Sequence, residues 1–127
     1  MRTEKVNSLL AEIISSQGFI NIDKNDIDTF KANFSEIDAE KVAGKVEEIG
    51  FILDHVIYSI KTRNDSKQIK GLIFIIRLSQ DNCFMGNIND IHDVIDKLDE
   101  NLEYKWGISI MDNLQSNQFE LIVVIGF

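Results

Sequence analysis

The run Lys70-Gly71-Leu72-Ile73-Phe74-Ile75-Ile76-Arg77-Leu78 is apolar almost without a break and rich in β-branched side chains. A strand with one wet face alternates polar with apolar residues; this one does not, so it predicts a central strand covered by protein on both sides. Working outward, Ile52, Leu53, Val56, Ile57 and Ile60 recur at helical spacing and predict a helix over 51–61, with His55 at its edge. Thr62-Arg63-Asn64-Asp65-Ser66-Lys67 reads as the polar loop between that helix and the strand. Before the helix, Val42, Gly44 and Val46 alternate with charged residues and predict a strand over 41–49, ended by Gly50.

Downstream, a loop over 79–86 leads to Asn87, a good helix N-cap. Ile88, Ile91, Ile95, Leu98 and Leu102 follow at helical spacing, predicting a helix over 88–102. Residues 106–111 and 119–125 read as strands, and the short turn at 112–117 predicts that they pair as an antiparallel hairpin. At the other end, Val6, Leu9, Leu10, Ile13 and Ile14 define an amphipathic helix over 4–16, stopped by Gly18. Phe19, Ile20 and Ile22 form a short extended segment, and Asp26 precedes Ile27, Phe30 and Phe34 as the predicted cap of a second, short helix.

The order is helix, polar loop, short helix, then strand–helix–strand–helix–strand–strand. It predicts an α+β fold, an α/β two-layer sandwich in which helices pack on a mixed four-stranded sheet, built as one domain over 1–127. The chain is long enough to bury a core without disulfides or metal. A net charge of −8 disfavours a nucleic acid or an anionic membrane as partner, and the densest basic stretch, Lys61 to Lys70, is interrupted by Asp65. The one cysteine, Cys83, has no nearby cation to activate it. The amino terminus lacks the apolar core of a signal peptide, and no apolar run approaches the roughly 20 residues that span a bilayer. A cytoplasmic protein is expected.

Few residues offer chemistry. His55 and His92 each stand alone on a helix, without a second histidine one turn away, so no metal is expected. All seven glycines are isolated, which leaves no loop to wrap a nucleotide's phosphates. Asp23, Asn25 and Asp28 suggest a calcium loop, but the fifth, sixth and twelfth positions counted from Asp23 hold Ile27, Asp28 and Phe34, where an oxygen ligand, glycine and glutamate belong. What remains is Asn21, Asp23 and Asp26, three polar residues in a turn that also starts a helix. On their own they read as cap and turn residues.

The segment Gly18-Phe19-Ile20-Asn21-Ile22-Asp23-Lys24-Asn25-Asp26 resembles the asparagine–x–aspartate–x–x–aspartate loop of FtsZ, the bacterial tubulin relative. Lys70-Gly71-Leu72-Ile73 is similar to that family's strand entry, Ile88 to Leu102 to its late helix and Trp106-Gly107-Ile108 to the next strand. The closing Val123-Val124-Ile125-Gly126-Phe127 is similar to the Gly-Phe that ends the folded part of FtsZ. The amino-terminal nucleotide-binding domain has no counterpart here. Lys24 and Asn25 stand where the family usually has apolar or small residues, and a cation beside two carboxylates lowers their pKa values.

The resemblance implies half of a site shared by two molecules. The chain would dock on a GTP-binding FtsZ-type subunit during cell-division filament assembly, or associate with itself. Asp23 and Asp26 would polarise the water that attacks the partner's GTP, with Asn21 holding the loop. It implies no cofactor bound by this chain and no enzyme activity on its own. Two other readings stand beside it: a non-catalytic interaction module of the same fold that caps or modulates filaments, and a ferredoxin-like domain for a small ligand.

Overall fold

The computed structural model describes residues 2–15, 22–79, 88–98, 101–111, 113–114 and 117–127. The elements, in chain order, are α1 (Arg2–Ser15), α2 (Lys24–Asn33), β1 (Ile37–Lys45), a single 3-10 turn (Val46–Glu48), α3 (Ile49–Arg63), β2 (Gly71–Leu78), α4 (Ile88–Asp96), β3 (Glu103–Ile110) and β4 (Gln118–Gly126). The four strands make one mixed sheet in the order β1-β4-β2-β3, with β4 antiparallel to both of its neighbours and β2 parallel to β3. This is the α+β class expected from the order of the elements.

β2 is buried at every residue, as its unbroken apolar run demands. Its side chains divide by parity. Leu72, Phe74, Ile76 and Leu78 join Leu53, Val56 and Ile60 of α3 and Ile91, Val94 and Ile95 of α4 in one core. Ile73 and Ile75 join Leu9, Leu10 and Ile13 of α1 and Ile27 and Phe30 of α2 in the other. The sheet is therefore the middle of three layers and not one of two. The physical reason is that β2 and β4 are apolar on both pleat faces, and each face needs its own helical cover.

The predicted hairpin is not formed. β4 lies between β1 and β2, and β3 holds the sheet edge beyond β2. Residues Leu121 to Gly126 are all buried, whereas Glu103, Tyr104 and Lys105 at the start of β3 are exposed. The doubly apolar strand takes the interior position and the half-polar one the edge. The first strand runs over Ile37–Lys45 instead of 41–49. The alternation of Val42, Gly44 and Val46 had the right parity, but the strand starts earlier because Asp38, buried at 2% exposure, has partners far away in sequence. Gly50 does not end a strand; it lies in the first turn of α3, which also runs on through Thr62 and Arg63. α4 stops at Asp96, earlier than expected, though Leu98 and Leu102 still reach the core.

α2 is seated by an aromatic pair. The rings of Phe30 and Phe34 lie 4.8 Å apart at 54°. Phe34 rests on Gly71 and Gly126, which face each other across the β2–β4 ladder. A Cβ at either glycine would come within 2.4 Å of the Phe34 ring. Both glycines are thus required by close approach, and they fix α2 over the sheet. Among the described residues, no helix is long and apolar enough to cross a membrane.

Candidate functional site

The end of α1 is tied down by charge. The Arg77 guanidinium, set in the apolar run of β2, donates to the backbone carbonyl of Glu12 at 3.1 Å and to the Glu12 carboxylate at 3.3 Å. That carbonyl is among the last four of α1, which have no acceptor role inside the helix. Arg77 also reaches Glu120 at 3.3 Å, and Lys41 donates to Glu12 at 3.0 Å. The Lys41 hydrogen bond is the main reason the Glu12 carboxyl is held below its ordinary range.

Asp23, not Asp26, is the N-cap of α2. Its extended backbone (φ −97°, ψ 174°) turns the side chain over the helix start, where Oδ1 accepts the Asp26 N–H at 2.8 Å. In return the Asp26 carboxylate accepts the Asp23 N–H at 3.1 Å. This reciprocal capping box satisfies two of the donors that a helix start leaves open. Asp26 was displaced from the predicted cap by three residues because either aspartate can cap, and only the pair together defines the box.

A third residue joins from the sheet. Lys105 on β3 donates to Asp26 Oδ2 at 2.7 Å. The Lys105 hydrogen bond is the largest influence on the Asp26 carboxyl, which stays below the usual aspartate range despite some desolvation. The cation beside the carboxylates is Lys105, brought there by the pairing of Lys105 with Ile73; no contact of Lys24 takes that role among the described residues. Asp26, Thr29, Phe30, Asn33, Tyr104 and Lys105 line an open cleft of about 190 Å³. Asp23 is exposed, and its second oxygen accepts no hydrogen bond from the described residues. Asn21, the third predicted site residue, lies outside the described residues, as do Gly18, Cys83 and Asn87.

One further polar grouping was not visible in the sequence. Arg63 grips buried Asp38 with two bonds, Nε at 2.6 Å and Nη2 at 3.0 Å, and also reaches Glu40 at 2.7 Å. The Asn64 side-chain amide donates to Asp38 Oδ2 at 2.8 Å, and the Ala39 N–H donates to Asp38 Oδ1 at 2.8 Å. The only local signal was an acid next to Ala39 in a strand, which alone points nowhere. His55 stacks on Phe51, rings 6.3 Å apart, and His92 meets Trp106 edge-on at 6.1 Å. Among the described residues no group of three or more His, Cys, Asp or Glu is arranged to hold a metal.

No protein-family model matches the sequence, and a search of curated proteins finds no match. Solved structures do match. A mutant FtsZ of M. jannaschii aligns with a TM-score of 0.72 at 18% identity, over 98% of this chain and 38% of that one. The empty FtsZ dimer from the same organism gives 0.64 at 18% identity, again over 98% and 38%. TubZ of Bacillus thuringiensis, in a four-stranded filament, gives 0.62 at 12% identity, over 97% of this chain and 33% of that one. At such identities the likeness is one of fold: the chain has the fold of the FtsZ carboxy-terminal domain and spans about 38% of the length of the FtsZ chains.

Proposed function

We propose that this chain is an FtsZ-like carboxy-terminal domain that docks end-on upon a GTP-binding FtsZ-type subunit and presents the α2 start to the partner's nucleotide. The observation that carries the reading is the state of Asp23: one oxygen is fixed by the capping box and the other accepts nothing from the described residues. A carboxylate held in place at a helix start, with a free oxygen facing out, is suited to orienting a water for in-line attack on a γ-phosphate.

Asp26 takes a different role from Asp23. Its carboxylate accepts both the Asp23 N–H and the Lys105 ammonium, so it is a positioning residue that sets the geometry of Asp23. Asn21 would hold the loop that joins α1 to Asp23. The nucleotide belongs to the partner, and the reading implies a cytoplasmic protein that is not an enzyme on its own.

The test is GTP turnover by an FtsZ-type subunit mixed with this chain. Asp23→Asn should abolish the chain's effect on turnover, by about tenfold or more, while binding to the partner persists. Asp26→Asn should lower stability by about 0.5–2 kcal/mol through the damaged cap and reduce the effect on turnover only in part, because it acts through Asp23. Persisting binding with unchanged turnover in Asp23→Asn would overturn the catalytic role. A second reading, a non-catalytic module that caps or modulates filaments, is favoured by the Lys105–Asp26 ion pair, which ties up one of the two acids. On that reading both substitutions change stability and neither changes turnover.

A further inference from the structure

α3 and α4 cover the sheet face opposite to α1 and α2, and α3 carries an outward stripe of its own. Phe51 is 74% exposed and Tyr58 67% exposed, with His55 between them at helical spacing and stacked on Phe51. Phe51 and the ring stacked on it join with Tyr58 one turn on into a contiguous outward patch, the kind of surface on which another protein docks. Beside the stripe an open groove of about 360 Å³ runs between the two helices, lined by Glu47, Phe51, Asp54, Asp93, Val94 and Lys97. Three carboxylates stand there against one ammonium.

Those carboxylates differ from the chain's paired acids. Glu12, Asp26, Glu36, Asp38, Glu40 and Glu120 each hold a Lys or Arg within the same molecule. Glu47, Asp54 and Asp93 have no such partner among the described residues. An aromatic stripe beside unpaired acids is complementary to a segment that is apolar on one side and cationic on the other.

We propose that this face docks a cationic amphipathic segment of a partner protein. Its apolar side chains would lie on Phe51 and Tyr58, and an Arg or Lys would enter the groove toward Asp54 and Asp93. An arginine suits the position best, because its planar guanidinium both stacks on an aromatic ring and pairs with a carboxylate. A second copy of the same face would bring acids against acids, and nucleic acid or an anionic bilayer would meet the same repulsion. The site is independent of Asp23 and Asp26, so both faces can be engaged together.

The test is a selection of random 16-residue peptides on the full chain, followed by affinity measurements on the enriched sequences. The expected peptides carry Lys or Arg three or four positions from apolar residues, and their affinity falls as salt rises. Their binding should weaken about tenfold or more in Phe51→Ser/Tyr58→Ser and in Asp54→Asn/Asp93→Asn. Thermal unfolding of both variants should match the parent, since all four side chains are outward. Enriched peptides without cations, or equal binding by the variants, would overturn the proposal. So would concentration-dependent dimerisation lost in Phe51→Ser, which would assign the face to a second copy.

Discussion

Asp38 is a charge in the interior, and its surroundings explain why it is tolerated there. Burial alone would push its carboxyl up; the Arg63 guanidinium, the Asn64 amide and the Ala39 N–H outweigh that and hold it below the ordinary value of 3.8. A carboxyl depressed in the folded state contributes stability above its unfolded value, and that contribution is lost as pH falls through the folded one. Arg63→Met leaves the acid buried without its counter-charge, and should cost about 1–3 kcal/mol near neutral pH, since Arg63 is itself partly exposed and Asn64 and Ala39 still hold Asp38. Without Arg63 burial raises the acid, so Asp38 takes up a proton at higher pH. The loss measured by urea unfolding should therefore shrink as pH is lowered toward 4, and a loss independent of pH would refute this account. None of this was legible in sequence, because Arg63 and Asp38 belong to different elements. The candidate site was half legible: Asp26 ahead of Ile27, Phe30 and Phe34 announced a helix start, but Asp23 as the actual cap was missed and the Lys105 contact depends on strand register.

At the scale of elements, α2 is held by the fit of one ring to two missing side chains. Gly71→Ala places a methyl within 2.4 Å of the Phe34 ring. Overpacking of this kind costs about 1–3 kcal/mol, and it should tilt α2 and disturb the Asp23–Asp26 box. Phe34→Leu alone also destabilises, by removing buried surface. Combined, the two changes should cost less than their sum, since the smaller side chain makes room for the new methyl. Simple additivity in a double-mutant cycle would show that the ring does not rest on Gly71. Helix and strand identities were readable from periodicity in nearly every case. The shift of β1 toward residue 37 was not, because an acid such as Asp38 fits a strand interior only when partners arrive from α3.

For the whole molecule, several acids are depressed together. Glu12, Asp26, Asp38 and Glu40 all stay below their ordinary values of 3.8 or 4.5, through Lys41 at Glu12, Lys105 at Asp26 and Arg63 at both Asp38 and Glu40, with Lys5 adding at Glu40. By the same linkage, stability should be level above about pH 5 and fall steeply below pH 4 as these carboxylates take up protons. Urea midpoints measured against pH check this, and a maximum on the acid side would contradict it. That the chain folds as one mixed sheet with helical cover was legible, since each apolar run declares its own burial. The strand order was not: a short turn between β3 and β4 favours a hairpin locally, and the preference was overridden by the burial demands of β4 on both faces.

The interior place of β4 also sets the timing of folding. β1 pairs with no strand but β4, and β2 has its second partner only in β4, so these two ladders close with the last of the described strands in chain order. At a synthesis rate of about 5–20 residues per second, several seconds separate the emergence of β1 from that of the strand it pairs with. The early helices and the β2–α4–β3 unit can form first, through contacts close in sequence. The final strand then joins two partly built pieces in a single, late, non-local step, and such steps make folding slow and all-or-none.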